Sequence, residues 1–276
     1  MSYWPLKITK TTFVNFLIKI RYMKISLLIL LCIFSFNSTA AQPEENADVA
    51  LSWVDAPIFV FNHPELKQVN QLGELKEKLP VVIFLHGCAG INKDSLNWGS
   101  YISSLGFIVI LPNSMARNGR VPNCDTKLKK GNGAFPLARQ YRQQEIAYAL
   151  NQTMNSAWAQ RQNIFLMGHS EGGFAVAQSP RSEFAGEIIS GATCTNRNNP
   201  AYDGIFAPAS MPVLAIAAIQ DEWFENKSAT KGRCADKAFG RSYFKQVDLP
   251  GSTHPTYASP VAREAVEDFL IQNRRN

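Results

Sequence analysis

Acidic residues are missing from the first 41 positions, which carry Lys7, Lys10, Lys19, Arg21 and Lys24. A long apolar run is missing there too. Ile25–Phe34 is apolar apart from Ser26 but falls short of the roughly 20 residues that a membrane-crossing helix needs. Histidine is scarce, with four scattered through 276 residues and no His-Glu-x-x-His pair, so no metal-ligand cluster stands out and no metal is expected. There is no P-loop, and Gly131-Asn132-Gly133 lacks the strand context of a nucleotide site, so no cofactor is expected. No internal repeat is visible, which argues against a solenoid.

A basic flank, a short apolar run and the small residues of Phe36-Asn37-Ser38-Thr39-Ala40-Ala41-Gln42 form the pattern of a secretory signal peptide. Initiation at Met23 gives it a compact form. The reading is therefore a signal over 1–41 and a single domain over 42–276, exported to the periplasm or secreted, with no membrane association after cleavage. An uncleaved anchor is the alternative. The net charge of +6 belongs mostly to the leader, since five of the 28 basic residues and none of the 22 acidic ones lie there. The remainder carries +1 and gives no case for a nucleic-acid partner. Removing the leader also removes Cys32 and leaves Cys88, Cys124, Cys194 and Cys234. An even number in an exported chain suggests disulfides, and spacing does not choose among the three pairings.

With 46% hydrophobic residues the chain has enough apolar material for one large core. Residues 42–49 read as a flexible leader, and Ala50–Val54 and Ile58–Asn62 as short strands. Val81–Leu85 is an apolar run without alternation, as expected of a strand buried on both faces, and Phe107–Leu111, Asn163–Met167, Gly186–Ser190 and Pro212–Ile219 read as further strands. Ser242–Leu249 alternates and reads as a sixth. Helical segments lie around Ser95–Leu105, Arg139–Met154 and Pro260–Gln272. Strands alternating with helices predict an α/β fold, a mostly parallel sheet with helices on both faces and sites outside the carboxyl ends of the strands.

Gly168-His169-Ser170-Glu171-Gly172 is G-x-S-x-G between such a strand and a helix, the context that exposes a nucleophilic serine on a sharp turn. Ser170 needs a base, normally a histidine oriented by a carboxylate. His63 precedes the main sheet, His86 lies in the turn after Val81–Leu85 and His169 adjoins the serine, which leaves His254 in Gly251-Ser252-Thr253-His254-Pro255. Asp221, directly after a buried strand, is the favoured carboxylate, with Asp203 and Glu222 as alternatives. The oxyanion donors would be the backbone amides of Glu171 and of Cys88 in His86-Gly87-Cys88-Ala89-Gly90. The Glu171 side chain puts a negative charge beside a developing anion, and the sequence offers no account of it.

Leu85-His86-Gly87-Cys88-Ala89-Gly90, Gly168–Gly173, Asp221 and His254 together resemble the dienelactone hydrolase branch of the α/β-hydrolases, from about Val81 to the C-terminus. The resemblance implies an α/β-hydrolase catalytic domain over 42–276 that hydrolyses small-molecule esters. True dienelactone hydrolases carry a cysteine nucleophile, so Ser170 points away from dienelactone and toward a carboxylesterase using an acyl-serine intermediate. Cys88 follows a His-Gly pair rather than an elbow, which suits a structural role such as a bridge to Cys124. Cys194 and Cys234 follow successive strands at one sheet end and are candidates for a second bridge. A peptidase or lipase on the same triad, and an inactive binding protein on the same fold, are the alternatives; polar loops at 113–135 and 192–210 speak against an apolar lipase lid. Trp98, Phe135, Trp223 and Phe224 are candidate pocket walls. Oligomeric state leaves no trace in the sequence.

Overall fold

The computed structural model describes residues 43–224 and 230–275. The expected signal over 1–41, with Met23 and Cys32, lies outside them. Among the described residues no helix is long and apolar enough to cross a membrane.

Seven strands form one sheet: β1 (Ile58–Phe59), β2 (Leu79–Leu85), β3 (Ile108–Ile110), β6 (Ala159–His169), β7 (Gly186–Ser190), β8 (Val213–Ala218) and β9 (Phe244–Leu249), in the order β1-β3-β2-β6-β7-β8-β9. Only the edge strand β1 runs antiparallel. The helices α2 (Lys93–Ser104) and α5 (Pro260–Gln272) cover one face; α3 (Ala138–Met154) and α4 (Glu171–Ala177) cover the other. The non-alternating runs follow from this. In β2, Val81, Ile83 and Leu85 pack with Ile146 and Leu150 of α3, while Val82 and Phe84 pack with Trp98 of α2 and Val266 of α5. Both faces are dry, so both sets of side chains must be apolar. The helices that bring the chain back are capped as their sequences require. The Asn92 side chain accepts from Ser95 N–H before α2, and Ser259 accepts from Ala262 N–H before α5, with Pro260 at the first helical position.

Two expectations are corrected. The leader at 42–49 and the strand at Ala50–Val54 are a single helix, α1 (Pro43–Val54). Val49, Ser52 and Trp53 are its buried residues, at i, i+3 and i+4, and this helical spacing outweighs the β-branched character of a short run. The excursion at 113–135 is not wholly irregular either. It holds a small antiparallel hairpin, β4 (Cys124–Asp125) and β5 (Lys130–Gly131).

One strand position breaks the apolar rule. Glu187 in β7 is fully buried, and neither carboxylate oxygen has a hydrogen-bond partner among the described residues. Burial pushes its carboxyl well above the usual range, only partly opposed by nearby Ser179 and Arg241. A folded-state pKa raised above the unfolded one contributes stability below the unfolded value, and this is lost as pH rises through the folded value. Unfolding free energy should therefore fall with pH above about 4.5, with a contribution from this group approaching ~1.4 kcal/mol per pH unit. Glu187→Gln should remove that contribution. Urea unfolding of both proteins between pH 5 and pH 9 checks it; parallel profiles would refute the assignment.

Candidate active site

β6 runs directly into α4, and the residue between them is Ser170, with φ 58° and ψ −118°. Few residues other than glycine adopt a positive φ, so the turn is strained at the position that carries the hydroxyl. The packing explains why glycine flanks it. A Cβ on Gly168 would stand 2.3 Å from the Gly172 carbonyl oxygen, and one on Gly172 would stand 2.2 Å from the Leu85 carbonyl oxygen. Strand, elbow and helix touch backbone to backbone. The turn is fixed by Ser170 N–H to Ser190 O at 2.9 Å and by Phe174 N–H to Ser170 O at 3.0 Å.

His254 lies in the segment between β9 and α5. Its Nδ1–H donates to Asp221 Oδ2 at 2.8 Å, and both side chains are buried. Asp221 follows β8, and its Oδ1 accepts the Trp223 amide at 3.0 Å. The His254 ring is hemmed in by Trp223, Phe224 and His169, at 5.1, 6.1 and 4.8 Å between centroids. Its Nε2 is buried and has no hydrogen-bond partner among the described residues. Ser170 Oγ and this nitrogen are thus not hydrogen-bonded to each other. The other two acids go elsewhere. Asp203 binds Lys237 Nζ at 2.6 Å and the Asn196 amide, and Glu222 pairs with Lys129.

The turn after β2 faces the serine. A Cβ on Gly87 would lie 3.8 Å from Ser170 Oγ. Among the turn and loop hydrogen bonds of the described residues, neither the Cys88 nor the Glu171 amide donates to a backbone carbonyl. Cys88 is bonded to Cys124 and Cys194 to Cys234. The first disulfide ties the excursion to the turn beside Ser170. The Lys129–Glu222 pair ties the far end of the hairpin to the segment after Asp221. Between these ties lies a cavity of about 230 Å³ lined by Ser170, Glu171, Asn123, Phe174, Trp223 and Phe224, with the Cys88–Cys124 disulfide as a further wall. Trp223 and Phe224 reach it as expected. Trp98 is instead buried, its Nε1–H on Thr256 Oγ1, and Phe135 packs against Tyr141.

A model of the dienelactone hydrolase family matches residues 70–243. The chain belongs to the dienelactone hydrolase family. As a member of that family it is a hydrolase with the α/β-hydrolase fold. Est1E from Butyrivibrio proteoclasticus is 14% identical, with 79% of this chain covering 93% of that one at a TM-score of 0.53. The form of Est1E with ferulic acid bound gives a TM-score of 0.55 at the same identity, with 79% and 94% covered. A dienelactone hydrolase-like promiscuous phosphotriesterase from metagenomic libraries is 12% identical, with 72% and 87% covered and a TM-score of 0.52. At these identities the likeness is one of fold. No curated protein matches the chain.

In this family member the charge beside the elbow has partners. The Glu171 carboxylate accepts from Arg120 Nη2 at 2.6 Å and from Arg142 Nε at 3.1 Å, with Asn123 Nδ2 at 3.5 Å. Behind them, Arg142 pairs with Glu145, and Arg117 with Glu145 and Asp48. The sequence reading missed Arg117, Arg120, Arg142 and Glu145. One signal was present. Arg142 and Glu145 fall in register with Ile146, Ala149, Leu150 and Thr153 on the buried stripe of α3, where a solvated charge does not belong.

The remaining histidines are accounted for. His63 is half-buried and meets Glu65. His86 is buried; its Nε2 accepts the Ser114 amide at 3.0 Å, and burial, aided by Arg142, holds its pKa well below the ordinary value. His169 turns away from Ser170 toward Ser190 Oγ, 3.2 Å from its Nδ1, yet its ring still packs on His254. Burial lowers its pKa too, so it is a neutral neighbour. Among the described residues no group of three His, Cys, Asp or Glu is placed to hold a metal ion.

Proposed function

We propose that the chain is an exported serine carboxylesterase whose catalytic domain spans 42–276. The observation that carries this reading is the buried His254 imidazole, fixed by Asp221 through Nδ1, with an Nε2 unpartnered among the described residues and a ring packed on Trp223 and Phe224, two walls of the cavity that holds Ser170. A buried ring nitrogen without a partner is costly unless a second group is brought to it. With the proton held on Nδ1 by the carboxylate, Nε2 is the lone-pair nitrogen that a base requires.

Ser170 Oγ attacks the ester carbonyl carbon as His254 Nε2 takes its proton. The oxygen of the tetrahedral intermediate accepts from the Cys88 and Glu171 amides. His254 returns the proton to the departing alkoxide and leaves an acyl-serine. Water, deprotonated by the same nitrogen, then hydrolyses that ester and frees the acid. The two disulfides support an oxidising compartment, in keeping with the signal read over 1–41.

The cavity favours short acyl groups without charge. Beside Ser170 its described walls are aromatic faces, a disulfide, Gly131 and the uncharged Asn123 and Thr230, and the one ionisable side chain among them, Glu171, already has its cations behind it. A fluorophosphonate probe should label the wild-type protein on Ser170. Para-nitrophenyl acetate and butyrate should be turned over at least about tenfold faster than the dodecanoate, on the scale of one to a few kcal/mol of misfit in a small pocket. A folded protein that the probe leaves unlabelled would overturn the reading.

A further inference from the structure

The two amides assigned above to the oxyanion belong to different segments, and one buried side chain hydrogen-bonds to both segments. Arg142, fully buried on α3, donates through Nη2 to His86 O at 2.8 Å and to Gly87 O at 3.3 Å. Its Nε donates to Glu171 Oε1 and its Nη1 to Glu145 Oε2, each at 3.1 Å.

The Gly87 carbonyl is the other end of the peptide unit whose N–H is that of Cys88. It is loaded with donors: besides Arg142, it accepts from His86 Nδ1–H at 2.7 Å and from Gly90 N–H at 3.2 Å. The tautomer follows from the far side of the ring. His86 Nε2 accepts the Ser114 amide, so the proton sits on Nδ1 and points at Gly87 O. Arg142 Nη2 stands 3.0 Å from that nitrogen but sends its hydrogens to the two carbonyls. A cation on a peptide carbonyl draws electron density through the amide and makes its N–H a stronger donor. At the second donor, Arg142 and Arg120 hold the Glu171 side chain and meet its charge, so the carboxylate does not oppose a neighbouring anion.

We propose that Arg142 is a positioning residue for the oxyanion hole: from behind the site it orients and polarises the Gly87–Cys88 peptide and, through the Glu171 carboxylate, fixes the residue that carries the second amide. This rests on the esterase reading given above. It also supplies the missing account of Glu171, whose carboxylate is the link between the elbow and the arginine.

The test is Arg142→Lys in the full chain, which keeps the charge and loses the fork. Removing an oxyanion donor outright costs about 10²–10³ in rate, so misaligning one should cost kcat about 10- to 100-fold. KM should stay within about twofold, because the ground-state ester gains little from the hole. Affinity for a phenylboronic acid, whose serine adduct is a tetrahedral anion, should weaken by the same factor as kcat. A merely structural arginine would lower thermal stability and leave the kcat and inhibition constant of the folded protein unchanged; that result overturns the inference. Where Arg142→Lys does not fold, Glu171→Ala carries the test. It should lower kcat and boronate affinity together by about tenfold, and Glu171→Gln, which keeps one acceptor for Arg142 Nε, should lose only about threefold. Equal, wild-type values for a folded Glu171→Ala overturn it. Ser170→Ala in the same assays separates the two proposals. If it still hydrolyses ester, the esterase reading fails; if it is dead while the arginine and glutamate variants match wild type, this inference alone fails.

Discussion

Ser170→Ala is expected to lower kcat/KM for a short acyl ester by about 10⁴–10⁶, leaving at most the small residual rate that binding and oxyanion donors give without a nucleophile. The size of the effect comes from the loss of a covalent route, since no other hydroxyl in the cavity lining stands on the elbow. Folding should survive, because the alanine methyl occupies the space of the serine Cβ and the backbone bonds to Ser190 and from Phe174 do not involve the side chain. The strained backbone supplies a second, opposite readout. A non-glycine residue at φ 58° and ψ −118° costs on the order of 1–3 kcal/mol. Ser170→Gly should relieve most of this, offset by roughly 0.5–1 kcal/mol of extra chain entropy, and so be about 1 kcal/mol more stable than Ser170→Ala while equally inactive. Activity assays with urea unfolding of all three proteins check both halves. An alanine variant within tenfold of wild type would refute the nucleophile.

Asp221→Asn should cost about 10⁴ in kcat at neutral pH. The carboxylate now accepts the Nδ1–H of His254 at 2.8 Å and leaves Nε2 as the base of the proposed mechanism. An asparagine in the same place can present its NH₂ to Nδ1 and drive the proton to Nε2, where it blocks attack. Shape and burial barely change, so the protein should stay folded. The two rival acids provide the control. Asp203→Asn and Glu222→Gln remove ion pairs to Lys237 and Lys129 that are partly or largely open to solvent, worth about 0–1 kcal/mol of stability each, and should leave kcat within about threefold. A kinetic comparison of the three variants decides it: a slow Asp203 variant with a fast Asp221 variant would reassign the acid.

The layout of the candidate site was readable because it rests on local pattern. Val81–Leu85 and Asn163–Met167 announce two-sided burial by failing to alternate, and Gly168 and Gly172 announce a turn with no room for side chains. Asp221 could be favoured because it follows a strand, and His254 because the other histidines had worse positions. What was hidden depends on distant residues. Nothing near Glu171 indicates that Arg120 and Arg142, 51 and 29 residues upstream, will meet its carboxylate. The bridges Cys88–Cys124 and Cys194–Cys234 could be put forward from the positions of the cysteines relative to the strands, though not from spacing alone, and both are formed. The helix Pro43–Val54 was misread because its buried stripe, Val49, Ser52 and Trp53, includes a serine whose hydroxyl satisfies itself on the Val49 carbonyl. A polar residue bonded within its own turn passes for a surface one.

The strand order has a consequence for how the molecule is made. β6, which carries the elbow, pairs on one side with β2 from far upstream and on the other with β7 from downstream, and β8 and β9 must then add before Asp221 and His254 can meet. Parallel pairings of this kind close long loops and form slowly. The proposed centre therefore takes shape only as the last strands dock, and a partly folded chain holds the elbow without its base. Ester turnover during refolding would register completed molecules alone and should lag behind the recovery of secondary structure.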